Sequence, residues 1–152
     1  ASQPHRHLQL LPRHTETPSC PIAAHLRAQL GSFNGSGDAS PSRWPWAYRL
    51  SRRHDPIGGS DLEALYLAHA EQLGLGSPLN APQPLHPYNL LFDDDWLLTV
   101  RRTREHCAGF SLNALAFGGY LLATEHSDLD WLIRKGPWQL LQAVASPKPF
   151  VP

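Results

Sequence analysis

Methionine is absent from this chain, position 1 included, and cysteine is nearly absent, with two in 152 residues. An open reading frame begins with methionine, so we expect the chain to be a piece of a larger protein. Cys20 and Cys107 lie far apart with no Cys-x-x-Cys spacing, which argues against a disulfide framework and against a structural zinc site. The setting we expect is reducing and cytoplasmic. Lysine plus arginine balances aspartate plus glutamate at 13 each, so the formal net charge is zero. The electrostatic footprint of non-specific nucleic-acid binding is therefore missing, and any bound phosphate must be held by local groups. No apolar run reaches the length of about 18 residues that a membrane helix needs, and no basic-then-apolar leader opens the chain, so neither a membrane span nor a signal peptide is expected. What is present, 41% hydrophobic and 17% charged residues, suits one globular core.

The opening residues Ser2-Gln3-Pro4-His5-Arg6-His7-Leu8-Gln9-Leu10 carry two histidines and a glutamine at alternate positions. In an extended strand that period places His5, His7 and Gln9 on one face and Arg6, Leu8 and Leu10 on the other. A neutral imidazole is a good nucleophile toward phosphorus, and the phosphoramidate it forms is reactive enough to pass its group on. One histidine suffices for attack, and a second on the same face can orient the attacking ring. Ser2 and Gln3 add a hydroxyl and an amide able to donate to phosphate oxygens. The chain has nine histidines, so two within three residues is also compatible with chance.

Farther along, Ile22, Ala23, Leu26 and Leu30 follow helical spacing over roughly 21–30, with Gly31 as a stop. Residues 31–43 are turn-forming throughout and read as a flexible loop. The alternation from Trp44 to Leu50 predicts a strand. Ser60-Asp61-Leu62-Glu63 has the spacing of a capping box, and Leu62, Leu65, Tyr66, Ala70 and Leu73 make the apolar stripe of a helix ending near Gly74. Residues 75–87 hold four prolines and read as a second flexible loop. Tyr88 to Phe92 and Trp96 to Val100, separated by Asp93-Asp94-Asp95, predict a β-hairpin. The three adjacent carboxylates cannot converge on one ion without others, so a solvated turn is the expectation. Phe117 to Thr124 reads as a strand, Ser127 as the cap of a helix carrying Leu129, Leu132 and Ile133, and Trp138 to Val144 as a last helix. His14, His25, His54, His69, His86, His106 and His126 show no ligand spacing, and no metal site is assigned.

Four separated blocks together resemble one family. Ala1-Ser2-Gln3-Pro4-His5-Arg6-His7-Leu8-Gln9 looks like the active-site signature of the ATP adenylyltransferases, also called diadenosine tetraphosphate phosphorylases. Pro87 to Leu91 with Trp96 to Arg102, Ser111 to Leu122, and Leu132 to Leu141 are similar to that family's later segments, in the same order. The resemblance implies an α+β fold of the histidine-triad superfamily, galactose-1-phosphate uridylyltransferase branch: an antiparallel sheet flanked by helices, of which residues 1–152 would be the C-terminal portion without the family's N-terminal half. It implies a nucleotidyltransferase that phosphorolyses diadenosine tetraphosphate reversibly to ATP and ADP. His7 would attack the α-phosphorus and carry a transient AMP, His5 would support it, and Gln9 and Ser2 would hold non-bridging oxygens. A glutamine at the last position of the row, where relatives in the superfamily have histidine, favours transfer over hydrolysis.

Ser2, Gln3, Asn89, Arg102 and Asn113 are the candidate nucleotide contacts, and magnesium can arrive with the nucleotide. The partner is then a small nucleotide (diadenosine polyphosphate, ATP, ADP) or phosphate. Asn89 and Asn113 are amides within apolar runs and need partners, which local backbone groups can also supply. Arg102 reads either as a phosphate contact or as a solvated strand end. The family usually has Val-Pro-Arg where this chain has Val100-Arg101-Arg102. Two other readings fit parts of the pattern. A hexose-1-phosphate uridylyltransferase shares His-x-His-x-Gln but not the block from Asn113 to Leu122, and a non-catalytic nucleotide-binding remnant would keep the pocket without the chemistry.

Overall fold

The hairpin read from the two apolar runs is the centre of the fold. The computed structural model describes residues 8–12, 20–31, 44–55, 59–81 and 83–148. In chain order its elements are α1 (Ala23–Gly31), β1 (Tyr48–Arg52), α2 (Ser60–Gln72), β2 (Tyr88–Phe92), β3 (Trp96–Arg101), β4 (His106–Cys107), β5 (Phe110–Ser111), α3 (Ala114–Gly118), α4 (Leu129–Lys135) and α5 (Pro137–Val144). The described residues are thus α+β, with a three-stranded antiparallel sheet ordered β1-β3-β2 and a separate hairpin of β4 and β5.

β3 is central and every residue from Trp96 to Val100 is buried. Side chains alternate across a strand, and cross-strand partners share a face. One face therefore carries Tyr48 and Leu50 from β1, Trp96, Leu98 and Val100 from β3, and Asn89 and Leu91 from β2. This face meets the main core, with Leu26 and Leu30 of α1, Phe117 of α3 and Leu140 and Val144 of α5. Trp44, Trp46 and Trp138 close it at one end: the Trp44 and Tyr48 rings are 4.6 Å apart, as are those of Trp46 and Trp138. The opposite face carries Ser51, Thr99, Arg101 and Tyr88 and is covered by α2, where Ala47, Ala70, Leu73 and Leu75 form a smaller cluster.

The aspartate triplet is a turn, and it is tied down. Asp93 Oδ1 accepts the amides of Asp95 and Trp96 at 2.8 and 3.2 Å. Arg27 of α1 grips the other oxygens, 2.5 Å from Asp93 and 2.7 Å from Asp95. Among the described residues no three metal-ligating side chains gather, and no helix is long and apolar enough to cross a membrane.

Several local expectations are corrected. Helix α2 starts where expected, but Gly59 is its N-cap and no side chain caps it. Ser60 Oγ instead donates to Asp55 at 2.5 Å, so the capping box does not form. The expected strand from Phe117 to Thr124 is absent. Asn113 accepts the Leu115 amide at 3.0 Å and starts α3, which Gly119 ends in a left-handed conformation at φ 104°; the cap and the glycine override the β appearance of the apolar run. Asp128, not Ser127, caps α4 by accepting the Trp131 amide at 2.7 Å. Residues 8–12 belong to no strand, and Leu8 and Leu10 are exposed. Of the two expected loops, 32–43 lies outside the described residues; in the other, the Leu85 amide donates to the Leu75 carbonyl at 2.9 Å, with residue 82 outside the described residues.

After α5 the chain turns back into the sheet. Ala145 bridges Arg102 and Pro147 bridges Trp46, so this short segment wedges between the end of β3 and the approach to β1. The Ser146 amide donates to the Arg101 carbonyl and the Ala47 amide to the Ser146 carbonyl, both at 2.8 Å. This wedge roofs the end of β3, where the candidate site lies.

Candidate functional site

Two consecutive arginines leave β3 and point to opposite faces, as strand alternation requires. Arg101 faces α2. Its guanidinium donates to the Leu73 carbonyl at the end of that helix at 3.0 Å, and to His86 Nε2 at 2.9 Å. A guanidinium has no acceptor, so His86 Nε2 accepts. Arg102 faces the main core. The expectation of a solvated strand end is wrong for it: the residue is 7% exposed, sealed by Ala145 on one side and by Pro87, whose carbonyl accepts the Arg102 amide at 2.7 Å, on the other.

Arg102 Nη1 donates to the Leu112 carbonyl at 2.6 Å, while its Nε has no partner. No described carboxylate forms an ion pair with it. Burial pushes the guanidinium below its ordinary pKa, and the charge of Glu105 opposes this from beyond contact. The Glu105 carboxylate itself accepts from Ser111 Oγ at 2.8 Å. Arginine stays protonated in proteins, so this is a largely buried positive charge with no contacting carboxylate among the described residues.

Asn89 lies on the same face. It stands opposite Val100, and Pro87 stands opposite Arg102, so Asn89 and Arg102 are diagonal neighbours with a separation of roughly 7–8 Å between their backbones. Asn89 is 8% exposed, and its Nδ2 also lacks a partner. Asn113 immediately follows the carbonyl that Arg102 holds and is itself exposed. Of the residues singled out in the sequence, Asn89 and Arg102 thus share one face at the end of the β2–β3 ladder, and Arg102 reaches the carbonyl just before Asn113, the cap of α3. Asn113 is occupied as a cap, while Asn89 and Arg102 keep unused donors. Gln9 is exposed, in the stretch 8–12 that belongs to no described strand. Ser2, Gln3, His5 and His7 lie outside the described residues.

Residues 42–147 match the family model of the ATP adenylyltransferase C-terminal domain. The chain belongs to the ATP adenylyltransferase family. No curated protein and no solved structure matches it. Membership points to adenylyl transfer in general and to small nucleotides as substrates. The matched residues include β2, β3 and α3, and hence Asn89, Arg102 and Asn113.

Sequence reasoning missed a second buried polar cluster, on the α2 side of the sheet. His69 is fully buried and its two ring nitrogens lie 2.8 Å from Ser51 Oγ and 2.9 Å from Thr99 Oγ1. A signal was available: His69 falls between Tyr66 and Leu73 on the apolar stripe of α2, the face that packs inward. Enclosed on every side, it joins helix to sheet.

Proposed function

We propose that this adenylyltransferase-family chain catalyses the reversible phosphorolysis of diadenosine tetraphosphate to ATP and ADP through an adenylyl-histidine. His7 attacks the α-phosphorus of one adenosine, forming a phosphorus–nitrogen bond as the bond to the bridging oxygen breaks and ATP leaves. Orthophosphate then attacks the same phosphorus, the bond to His7 breaks, and ADP departs. His5 orients the attacking ring, and Gln9, Ser2 and Gln3 hydrogen-bond the non-bridging oxygens without taking a proton. Asn89, Arg102 and Asn113 contact the nucleotide, and any magnesium comes with it. Positioned donors carry most of the stabilisation in phosphoryl-type transfer.

The observation that carries this reading is the family membership of residues 42–147, supported by the His5-Arg6-His7-Leu8-Gln9 row in the sequence. Incubation with diadenosine tetraphosphate and labelled orthophosphate tests it. Label should appear in ADP, and a His7→Asn variant should yield none. Absence of labelled ADP from the unmodified chain overturns the reading. Transfer of uridylyl in preference to adenylyl groups would move the chain to the hexose-1-phosphate branch.

A further inference from the structure

Helix α4 has seven residues and none of them is buried. A helix that short is marginal in water by itself. Trp131 and Leu132, partly buried against the main core, supply its packing. Successive residues turn by about 100° around a helix, so the side opposite those two is made of Leu129, Asp130, Ile133 and Arg134, all exposed. Leu129 and Ile133, one turn apart, form one half of this outer face and are 52% and 81% exposed. Asp130 and Arg134, also one turn apart, form the other half. Among the described residues neither is in an ion pair.

We propose that the outer face of α4 is the contact surface for a second copy of this chain, with the two helices antiparallel about a two-fold axis. Such an axis brings the same patch of both copies together. It keeps each half of the face on its own side of the contact and reverses its direction. Leu129 therefore meets Ile133 of the partner subunit, and Asp130 meets Arg134 of the partner subunit. Each pair occurs twice. A parallel two-fold pair would instead lay the apolar half of one helix on the charged half of the other.

The spacing of Asp130 and Arg134 also allows a pair within one helix, but that leaves Leu129 and Ile133 in water. The antiparallel copy covers the apolar residues and opposes the charges at once. A different protein would need the same pattern in reverse order along a helix; a second copy carries it by construction.

Two short helices make a contact smaller than the roughly 1,200 Å² at the lower end of standard interfaces, so the dimer is expected to be weak. Sedimentation velocity of the full chain is followed over a dilution series reaching millimolar concentration. A monomer and dimer in concentration-dependent exchange, with the dimer weakened by added salt, is the expected result. Ile133→Glu should abolish the dimer. Its side chain is exposed, so the melting temperature should stay near the parent's.

Asp130→Arg and Arg134→Asp should each be monomeric alone, because like charges then face each other across the contact. An equimolar mixture of the two should dimerise, because one helix is then basic and the other acidic at both positions. Pairing within a helix cannot produce that recovery, since neither variant keeps an opposite charge to pair with. A monomer at every concentration overturns the proposal, as does a dimer that survives Ile133→Glu or a mixture that stays monomeric.

Discussion

Ser51 Oγ lies 2.8 Å from His69 Nε2 in the sealed interface between β1 and α2, while the other nitrogen of the same ring reaches Thr99 Oγ1 on β3. One imidazole thus fastens a helix to two strands, and all three residues are buried. Removing one hydroxyl deletes a buried hydrogen bond to the ring, which costs about 0.5–1.5 kcal/mol. We expect Ser51→Ala and Thr99→Val each to lower stability by that amount in urea unfolding, and Thr99→Ser, which keeps the hydroxyl, to cost clearly less. Equal losses for Thr99→Val and Thr99→Ser would mean that the methyl group, not the hydrogen bond, matters there.

The candidate site shows what could and could not be read from the chain. The hairpin of β2 and β3 was legible because two apolar runs flank a polar turn, and a local pattern suffices for a local structure. Asn89 was legible as an amide needing a partner. The burial of Arg102 was not, because it depends on Ala145, more than forty residues downstream, wedging beside β3. The same distance effect hid the clamp of Arg27 on Asp93 and Asp95. The block after Asn113 misled for a different reason: its apolar run has the composition of a strand, and only the pairing of the Asn113 cap with Gly119 at positive φ makes it helical.

Asp61, in the first turn of α2, gathers the loop that precedes the helix. Its carboxylate accepts the amides of Asp55 at 3.0 Å and His54 at 2.5 Å and lies 3.4 Å from the Arg53 guanidinium. The Asp55 amide does most to hold its pKa below the ordinary carboxylate value; burial opposes this, and the His54 amide and the Arg53 charge add to it. A depressed folded-state pKa contributes stability that is complete above the unfolded value and is lost as pH falls through the folded one. Asp61→Asn cannot ionise and lacks that contribution at every pH. The variant should therefore melt below the parent at neutral pH, and the gap should close as the pH drops below about 4, the range of unperturbed carboxylates. A gap of constant size from neutral to acid pH would show that the amide contacts act without the charge.

The β4–β5 turn tests packing against backbone. Ala108 and Gly109 both adopt left-handed conformations, at φ 49° and 75°, as a two-residue hairpin between antiparallel strands demands. The Ala108 carbonyl accepts the Asp128 amide at 2.9 Å, so the turn is docked on the segment that leads into α4. At Gly109 a Cβ would stand 1.9 Å from the His126 carbonyl oxygen and 2.8 Å from its carbon. Backbone cannot swing aside as a flexible side chain can, and the positive φ adds its own penalty of roughly 1 kcal/mol for a residue with a Cβ. Gly109→Ala should therefore cost more than about 3 kcal/mol, in the range reserved for steric conflict in a packed structure. Gly59→Ala has positive φ as well but nothing within 4 Å of its Cβ, so it should pay the conformational penalty alone. Denaturant unfolding of the two variants side by side separates the terms, and similar losses in both would mean that the hairpin yields rather than clashes.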